Sequence, residues 1–422
     1  MITKAIILFF LTYALMLVFN KVKHYIALTS AILFVALGFL PAGKIIDSID
    51  FNVLLMILGT MGTVSFFIES KMPNMLSDII ILKAKSVKTM TLALALFSGI
   101  VSAFVDNVAT VLMIAPVTLA VAKKLKVSPI PIILAVSIFS NLEGAATLVG
   151  DTTSILLAGA MKLNFMDFFF YENRIGLFFI VQIGLIAALA VLYFIMRKQN
   201  TKLDDNKVEK IKDYVPTYLL CLTIITLIVA SFFPDKPDLT NGIICVFYFI
   251  IGALIKVIRS KKLSSIIPNL KELDFATILL LASLFVIIGG VKEVGAIEKI
   301  GELFTTIGSD NPFIMYTLIV FVSVIVSAFI DNIPYVATML PVVAMIATTT
   351  SINPTLLYYG LIVGSTLGGN ITPIGASANI AAIGILNKNG YEVSNKEYFK
   401  MSVPISLAAI LTGYILCLIL FI

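Results

Sequence analysis

The sequence predicts an all-α integral membrane protein: two inverted repeats of five transmembrane helices plus one re-entrant hairpin each, with two discontinuous helices. Three observations lead there. Of 422 residues, 59% are hydrophobic and 13% charged, with a mean hydropathy of +1.06, which excludes a water-soluble globule. Apolar segments of about 15 to 23 residues recur from end to end, close to the ~20 that a helix needs to cross ~30 Å of hydrocarbon. Third, the stretch Val101 to Pro116, VSAFVDNVATVLMIAP, returns as VSAFIDNIPYVATMLP from Val326 to Pro341, an offset of 225 residues. The same offset carries Ser140, Gly144, Thr147 and Gly150 onto Ser365, Gly369, Thr372 and Gly375.

The first repeat, 1–196, opens with apolar spans at Ala5 to Phe19, Ile26 to Leu40 and Phe51 to Ile68. The first is the length of a signal peptide but lacks a small-x-small cleavage site, so it reads as a helix. An interfacial helix is expected around Asn74 to Ala84. The hairpin, 89–122, is apolar apart from Asp106-Asn107 and has lysines at both ends, which puts both ends on one side of the membrane. The broken helix, 129–160, is interrupted by SNLEGAATLVGDTTS, where glycines and small polar residues signal unwinding. Phe165 to Tyr171 reads as interfacial, and Ile175 to Met196 closes the repeat.

The linker, 197–213, carries six basic and four acidic residues and divides the halves. The second repeat, 214–422, has spans at Tyr214 to Phe233, Leu239 to Val257 and Phe275 to Gly290, then an amphipathic stretch around Lys292 to Gly308. Its hairpin is 312–350, its broken helix 354–386, and Ser402 to Phe421 ends it. Pro373 removes a backbone donor inside the second break, which favours unwinding there.

An odd number of spans per repeat inverts the second half relative to the first. Alternating sides puts 23 of the 30 Lys and Arg on one face, which the positive-inside rule assigns to the cytoplasm. The linker is then cytoplasmic, both termini lie outside, and a bacterial inner membrane is the expected location. The basic balance is thereby a matter of topology, and no nucleic-acid partner is expected. Cys221, Cys245 and Cys417 lie in apolar segments without CxxC spacing, so neither disulfides nor a structural metal is expected. No cofactor is expected beyond a coupling Na⁺ or H⁺.

Of 24 acidic residues, 20 fall in loops; the four left are Asp106, Glu143, Asp151 and Asp331. An ionisable group at membrane depth is expensive unless solvated or paired, and so marks a functional site. No basic residue neighbours them in the sequence, so they are expected to lack a fixed counter-charge and to bind cations or exchange protons.

Each Asp-Asn pair has two readings. It is either a tight turn between short helices, with Asp as N-cap, or a hairpin tip at the bilayer midplane offering helix N-termini and oxygen ligands. Val108, Ala109, Ile333 and Pro334 are not residues of an exposed turn, and the pair recurs in both halves. Gly144 and Gly150 could serve close helix packing alone, but that leaves Glu143, Thr147, Asp151, Asn370, Thr372, Ser377 and Asn379 beside the breaks unexplained.

At FVDNVATVLMIAP, GAATLVGDTTS, SAFIDNIPYVATMLP and GGNITPIGASAN the chain resembles the ion transporter superfamily. The resemblance spans nearly the whole chain and is strongest to the branch holding arsenite permeases, NhaD-type sodium/proton antiporters and the pigment-cell P protein. It implies a scaffold and a transport domain in each protomer, commonly a homodimer, with hairpins and broken helices enclosing the substrate. Carried over, the site is Asp106, Asn107, Thr110, Thr147, Gly150 and Asp151, with Asp331, Asn332, Asn370, Thr372, Gly375, Ser377 and Asn379 from the second half. Apart from the resemblance, the acids placed among apolar residues make Glu143 a further candidate proton carrier. The chain departs from members reading GGAAT and GDPPN at Glu143 and at Thr152-Thr153-Ser154.

The function so implied is proton-coupled secondary transport by alternating access. Arsenite or antimonite efflux and Na⁺/H⁺ exchange stand level. A dicarboxylate or citrate carrier is an alternative only with bound sodium to compensate, since four acids without a lysine or arginine suit a multivalent anion poorly. A channel fits inverted hairpins less well than a carrier does. An enzyme is not expected: an intramembrane aspartyl protease pairing Asp151 with Asp331 would need a GxGD context, and Leu148 stands where its first glycine would be.

Overall fold

Several helices start at a side chain that caps them, Asp50, Ser86, Asp106, Asp151, Asp274, Asn311, Asp331, Asn353 and Ser394 among them. A computed structural model describes all residues except 202–210, 212, 234, 300, 301, 303–305, 307–310 and 351. Most of the charged linker and much of the amphipathic stretch after Lys292 therefore lie outside the described residues. Seventeen helices of nine residues or more follow one another among the described residues. We number them α1 (Ile2–Val18), α2 (Lys23–Ala36), α3 (Phe51–Glu69), α4 (Met72–Lys83), α5 (Val87–Ser102), α6 (Asn107–Leu125), α7 (Ile130–Glu143), α8 (Thr152–Met161) and α9 (Leu177–Met196). After the linker come α10 (Val215–Ser231), α11 (Thr240–Ser260), α12 (Phe275–Glu293), α13 (Pro312–Ser327), α14 (Asn332–Thr349), α15 (Pro354–Ile362), α16 (Ser377–Lys388) and α17 (Asn395–Phe421). A short β-hairpin, Phe170–Tyr171 with Arg174–Ile175, stands where an interfacial segment is expected.

Seven of these helices (α3, α6, α9, α11, α12, α14 and α17) are long and apolar enough to cross a membrane. The chain is an all-α integral membrane protein, and large apolar side chains such as Ile186, Phe247 and Ile250 are exposed on its outer surface, as a lipid-facing surface requires. Among the shorter apolar helices, α5, α7, α8 and α13 end or begin at breaks in the chain. Both hairpins break at the same place: α5 ends at Ser102 and α6 starts at Asn107, while α13 ends at Ser327 and α14 starts at Asn332. Both discontinuous helices resume in register too, α8 at Thr152 and α16 at Ser377.

The broken helices form the centre. Every residue from Ile132 to Ala158, and again from Thr355 to Asn370, is buried, which is why neither shows an amphipathic pattern. Helices of the two halves pack across one another: α3 against α11, α2 against α12, and α9 against α17. The α3–α11 crossing needs Gly59, because a Cβ there would sit 2.3 Å from the Cys245 carbonyl carbon. One feature has no signature in the sequence. The turn Val363–Leu367, which continues α15, is a π-helix. It presses on α13 so closely that a Cβ at Gly364 would lie 2.4 Å from Val320 O.

Candidate functional site

Each hairpin tip is set by an aspartate that caps the helix after it. Asp106 Oδ1 accepts from Val108 N (3.0 Å) and Ala109 N (3.1 Å), and Asp331 Oδ1 accepts from Ile333 N (3.2 Å). The capping belongs to the turn reading, but the tips are not exposed: Asn107 is 5% and Asn332 3% accessible. Capping uses one carboxylate oxygen and leaves the other to face a cavity.

The unwound part of each broken helix lies against the adjoining tip through matching contacts. The Thr147 hydroxyl donates to Ala103 O, and the Thr372 hydroxyl to Ala328 O. Gly150 and Gly375 let the chains meet. A Cβ on Gly150 would stand 2.7 Å from Gly144 O and 3.0 Å from Ala103 O, and one on Gly375 2.5 Å from Ser327 O and 2.6 Å from Gly369 O. These four residues hold break to tip with backbone and hydroxyl contacts. Thr110 is likewise turned inward, donating to Asp106 O in its own helix at 3.0 Å.

Asp151 caps α8, its Oδ1 accepting from Thr152 N at 2.7 Å. Its Oδ2 accepts from Asn107 Nδ2 (3.3 Å) and Thr153 Oγ1 (3.4 Å). Asn107 Nδ2 also donates to Asn141 Oδ1 (3.0 Å), and Asn141 Nδ2 donates to Thr366 O (2.8 Å). This chain of amides fixes the orientation of each member and ties the first half to the second. Asn370 crosses in the other direction, its Nδ2 donating to Ile138 O (3.0 Å) and its Oδ1 accepting from Asn379 Nδ2 (2.9 Å). Asn379 Oδ1 is buried without a partner among the described residues.

Asp106, Asn107, Asp151, Asp331, Asn332 and Ser377 line one cavity of about 320 Å³, together with Lys21, Lys23, His24, Thr152, Glu272 and Asp274. The structure brings those six expected site residues together and leaves Thr110, Thr147, Asn370, Thr372, Gly375 and Asn379 behind its wall. Gly150 lines a smaller void beside Asp106 and Asp151. Glu143 points elsewhere: fully buried, it accepts from Gln182 Nε2 of α9 through Oε2, and its Oε1 has no partner.

One expectation is corrected. Asp331 does have a fixed counter-charge, because Lys23 Nζ lies 2.6 Å from its Oδ2, and Ser377 Oγ donates to the same oxygen at 3.2 Å. Lys23 follows the first span and counts as a loop charge in the sequence; only the packing of the α1–α2 turn on the second hairpin, where Tyr13 OH donates to Pro334 O at 3.0 Å, brings it there. Asp274 is missed for a similar reason, since it reads as a loop acid but caps α12 at the cavity mouth by accepting from Thr277 N.

A second cavity, about 960 Å³, opens at the other ends of the same helices. Lys44, Asp50, Lys292, Glu293 and Thr348 line it together with Val53, Leu156, Ala337 and Pro341; Asp106, Glu143, Asp151 and Asp331 do not. Ion pairs respect the two ends. Lys44–Glu293 joins segments of the lysine-poor end, whereas Lys256–Glu69 and Arg259–Asp213 join segments of the lysine-rich end.

Helices that span a membrane, repeated hairpins, broken helices and carboxylates reached from one end define a secondary transporter. The chain belongs to the citrate transporter family (CitMHS), whose family model matches residues 13–364. It is 32% identical over 404 residues to an uncharacterized transporter of Mycobacterium tuberculosis, covering 92% of each chain. It is 26% identical over 453 residues to the P protein of Mus musculus, covering 87% of this chain and 54% of that one. The fold is also that of the Alcanivorax borkumensis YdaH transporter, whose crystal structure reveals an unusual topology, with a TM-score of 0.59 at 14% identity, covering 89% of this chain and 86% of that one.

Proposed function

We propose that the chain exchanges a small inorganic cation, Na⁺ on the chemistry of the site, for protons by alternating access. The observation that carries this reading is the unpaired state of Asp106. Its Oδ1 accepts from Val108 N and Ala109 N, no partner of its Oδ2 is found among the described residues, and Asp106 lines the same cavity as Asp151. Oxygen ligands without a fixed counter-charge suit a hard monovalent cation or a proton, one excluding the other. The cavity as a whole holds five carboxyls against two lysines and one histidine, so it attracts cations.

The proton and the ion then compete for the Asp106–Asp151 pair, and loading from one end alternates with release to the other. The two cavities at opposite ends, one reaching the carboxylates and one stopping short of them, support that cycle. Inversion of the repeats relates the two access states. In this reading the chain is a carrier, not an enzyme. It sits in a bacterial inner membrane as a homodimer, with the linker cytoplasmic and both termini outside.

A second reading is efflux of arsenite or antimonite, neutral hydroxides that would meet Asn107, Thr152 and Ser377 in the same cavity. Citrate, named by the family description, would face those five carboxyls and would need bound cations to offset them. In everted vesicles with an imposed pH gradient, Na⁺ should dissipate the gradient. A response to arsenite or antimonite alone would transfer the proposal to the metalloid, and a response to none of these would refute both readings.

A further inference from the structure

The duplicated tips carry equivalent aspartates that meet different surroundings. In the first half, Asp106 and Asp151 accept hydrogen bonds and neither pairs with a basic side chain among the described residues. In the second half the position equivalent to Asp151 is Ala376. The second break therefore sets no carboxylate beside Asp331, and among the described residues the buried Asn332 Nδ2 lacks the acceptor that Asp151 gives Asn107. A basic side chain of the chain itself meets this tip. The Lys23 ammonium lies 2.6 Å from Asp331 Oδ2, with Ser377 Oγ 3.2 Å from the same oxygen. The side chains are 22% and 11% accessible. A carboxylate oxygen and a nearby hydroxyl are what a bound monovalent ion would coordinate, and the ammonium takes that position.

We propose that Lys23 is a built-in cation that fills the second-half site, confining the exchangeable ion to Asp106 and Asp151 and thereby setting how many ions a cycle carries. The proposal rests on the cation-exchange reading above. Lys23 is a specificity-determining residue on this account. It neutralises one half of a duplicated site, so a chain with two equivalent tips handles one class of ion site instead of two. It also keeps Asp331 from competing for the transported cation.

The test is equilibrium binding of radiolabelled Na⁺ to the purified full-length protein, with gel filtration and thermal unfolding as controls for folding. Lys23→Gln should bind one more ion per chain than wild type. Lys23→Arg and the double variant Lys23→Gln/Asp331→Asn should bind the wild-type number. Lys23→Gln binding no additional ion would overturn the proposal, whatever wild type binds. If wild type binds none but Lys23→Gln binds an ion that Asp331→Asn removes, the role of Lys23 stands and the cation-exchange reading falls. Asp331→Asn alone gives an independent check. It frees the Lys23 charge beside the cavity and should weaken Na⁺ binding without lowering the number bound; loss of an ion would show that Asp331 holds Na⁺ in the native protein and would refute the idea.

Discussion

Replacing Asp151 by Asn tests the amide chain that joins the two halves. The amide oxygen can keep the 2.7 Å bond from Thr152 N, but its NH₂ group then faces Asn107 Nδ2, now 3.3 Å from Asp151 Oδ2, donor against donor. Rotating the Asn107 amide would remove the clash at the expense of its 3.0 Å bond to Asn141 Oδ1. Rotating Asn141 in turn would break its 2.8 Å bond to Thr366 O. No member can turn without stranding a buried donor, and each such loss costs about 1–3 kcal/mol. Asp151→Asn should therefore lower the apparent unfolding temperature by a few degrees (~2–4 °C per kcal/mol in mid-sized domains) and abolish the Na⁺ response in vesicles. Both are measurable on one preparation, by thermal unfolding and by pH-gradient dissipation. A variant as stable as wild type would refute the oriented amide chain; one that still exchanges Na⁺ would remove Asp151 from the ion path.

Other substitutions separate chemistry from folding. Asp106→Asn keeps a side chain that caps a helix about as well as Asp, so the protein should insert and unfold normally yet lose Na⁺-driven dissipation; retained exchange would exclude the first tip from the mechanism. Gly375→Ala puts a Cβ within 2.5–2.7 Å of three backbone carbonyls and should cost about 1–3 kcal/mol or more, read as a lower unfolding temperature; Gly150→Ala, whose nearest contacts are 2.7–3.1 Å, should cost less. Glu143→Gln can keep the bond from Gln182 through its amide oxygen while its NH₂ replaces an unpartnered oxygen, so transport should persist; its loss would return Glu143 to the proton path. Because protons and Na⁺ compete for the same carboxylates, the Na⁺ concentration giving half-maximal exchange should rise as pH falls, and a value independent of pH would contradict shared sites.

Much of the architecture is legible in order along the chain. Helix-length apolar segments, charge clusters and the 225-residue offset locate the hairpins and the broken helices, with the breaks at Asp106, Asp331, Gly144–Asp151 and Gly369–Ala376. Such features are local, since a break needs only its own glycines and capping side chains. Membership of the site is less legible. Thr147, Thr372 and Gly375 lie in the break motifs GAATLVGDTTS and GGNITPIGASAN, but their hydroxyls and Cα atoms are used to fasten break to tip.

What the sequence by itself determined is the class of protein, the duplication, and the four acids placed among apolar residues. Each is a property of residue type and spacing, which hydrocarbon solvation constrains directly. Which of those acids share a cavity, and which already holds a cation, only the tertiary structure decided. Lys23 and Asp331 are 308 residues apart in the chain, and no spacing rule connects them; the packing of the α1–α2 turn against the second hairpin does. That contact makes the two tips chemically unequal, with Asp331 ion-paired to Lys23 and Asp106 without a basic partner among the described residues.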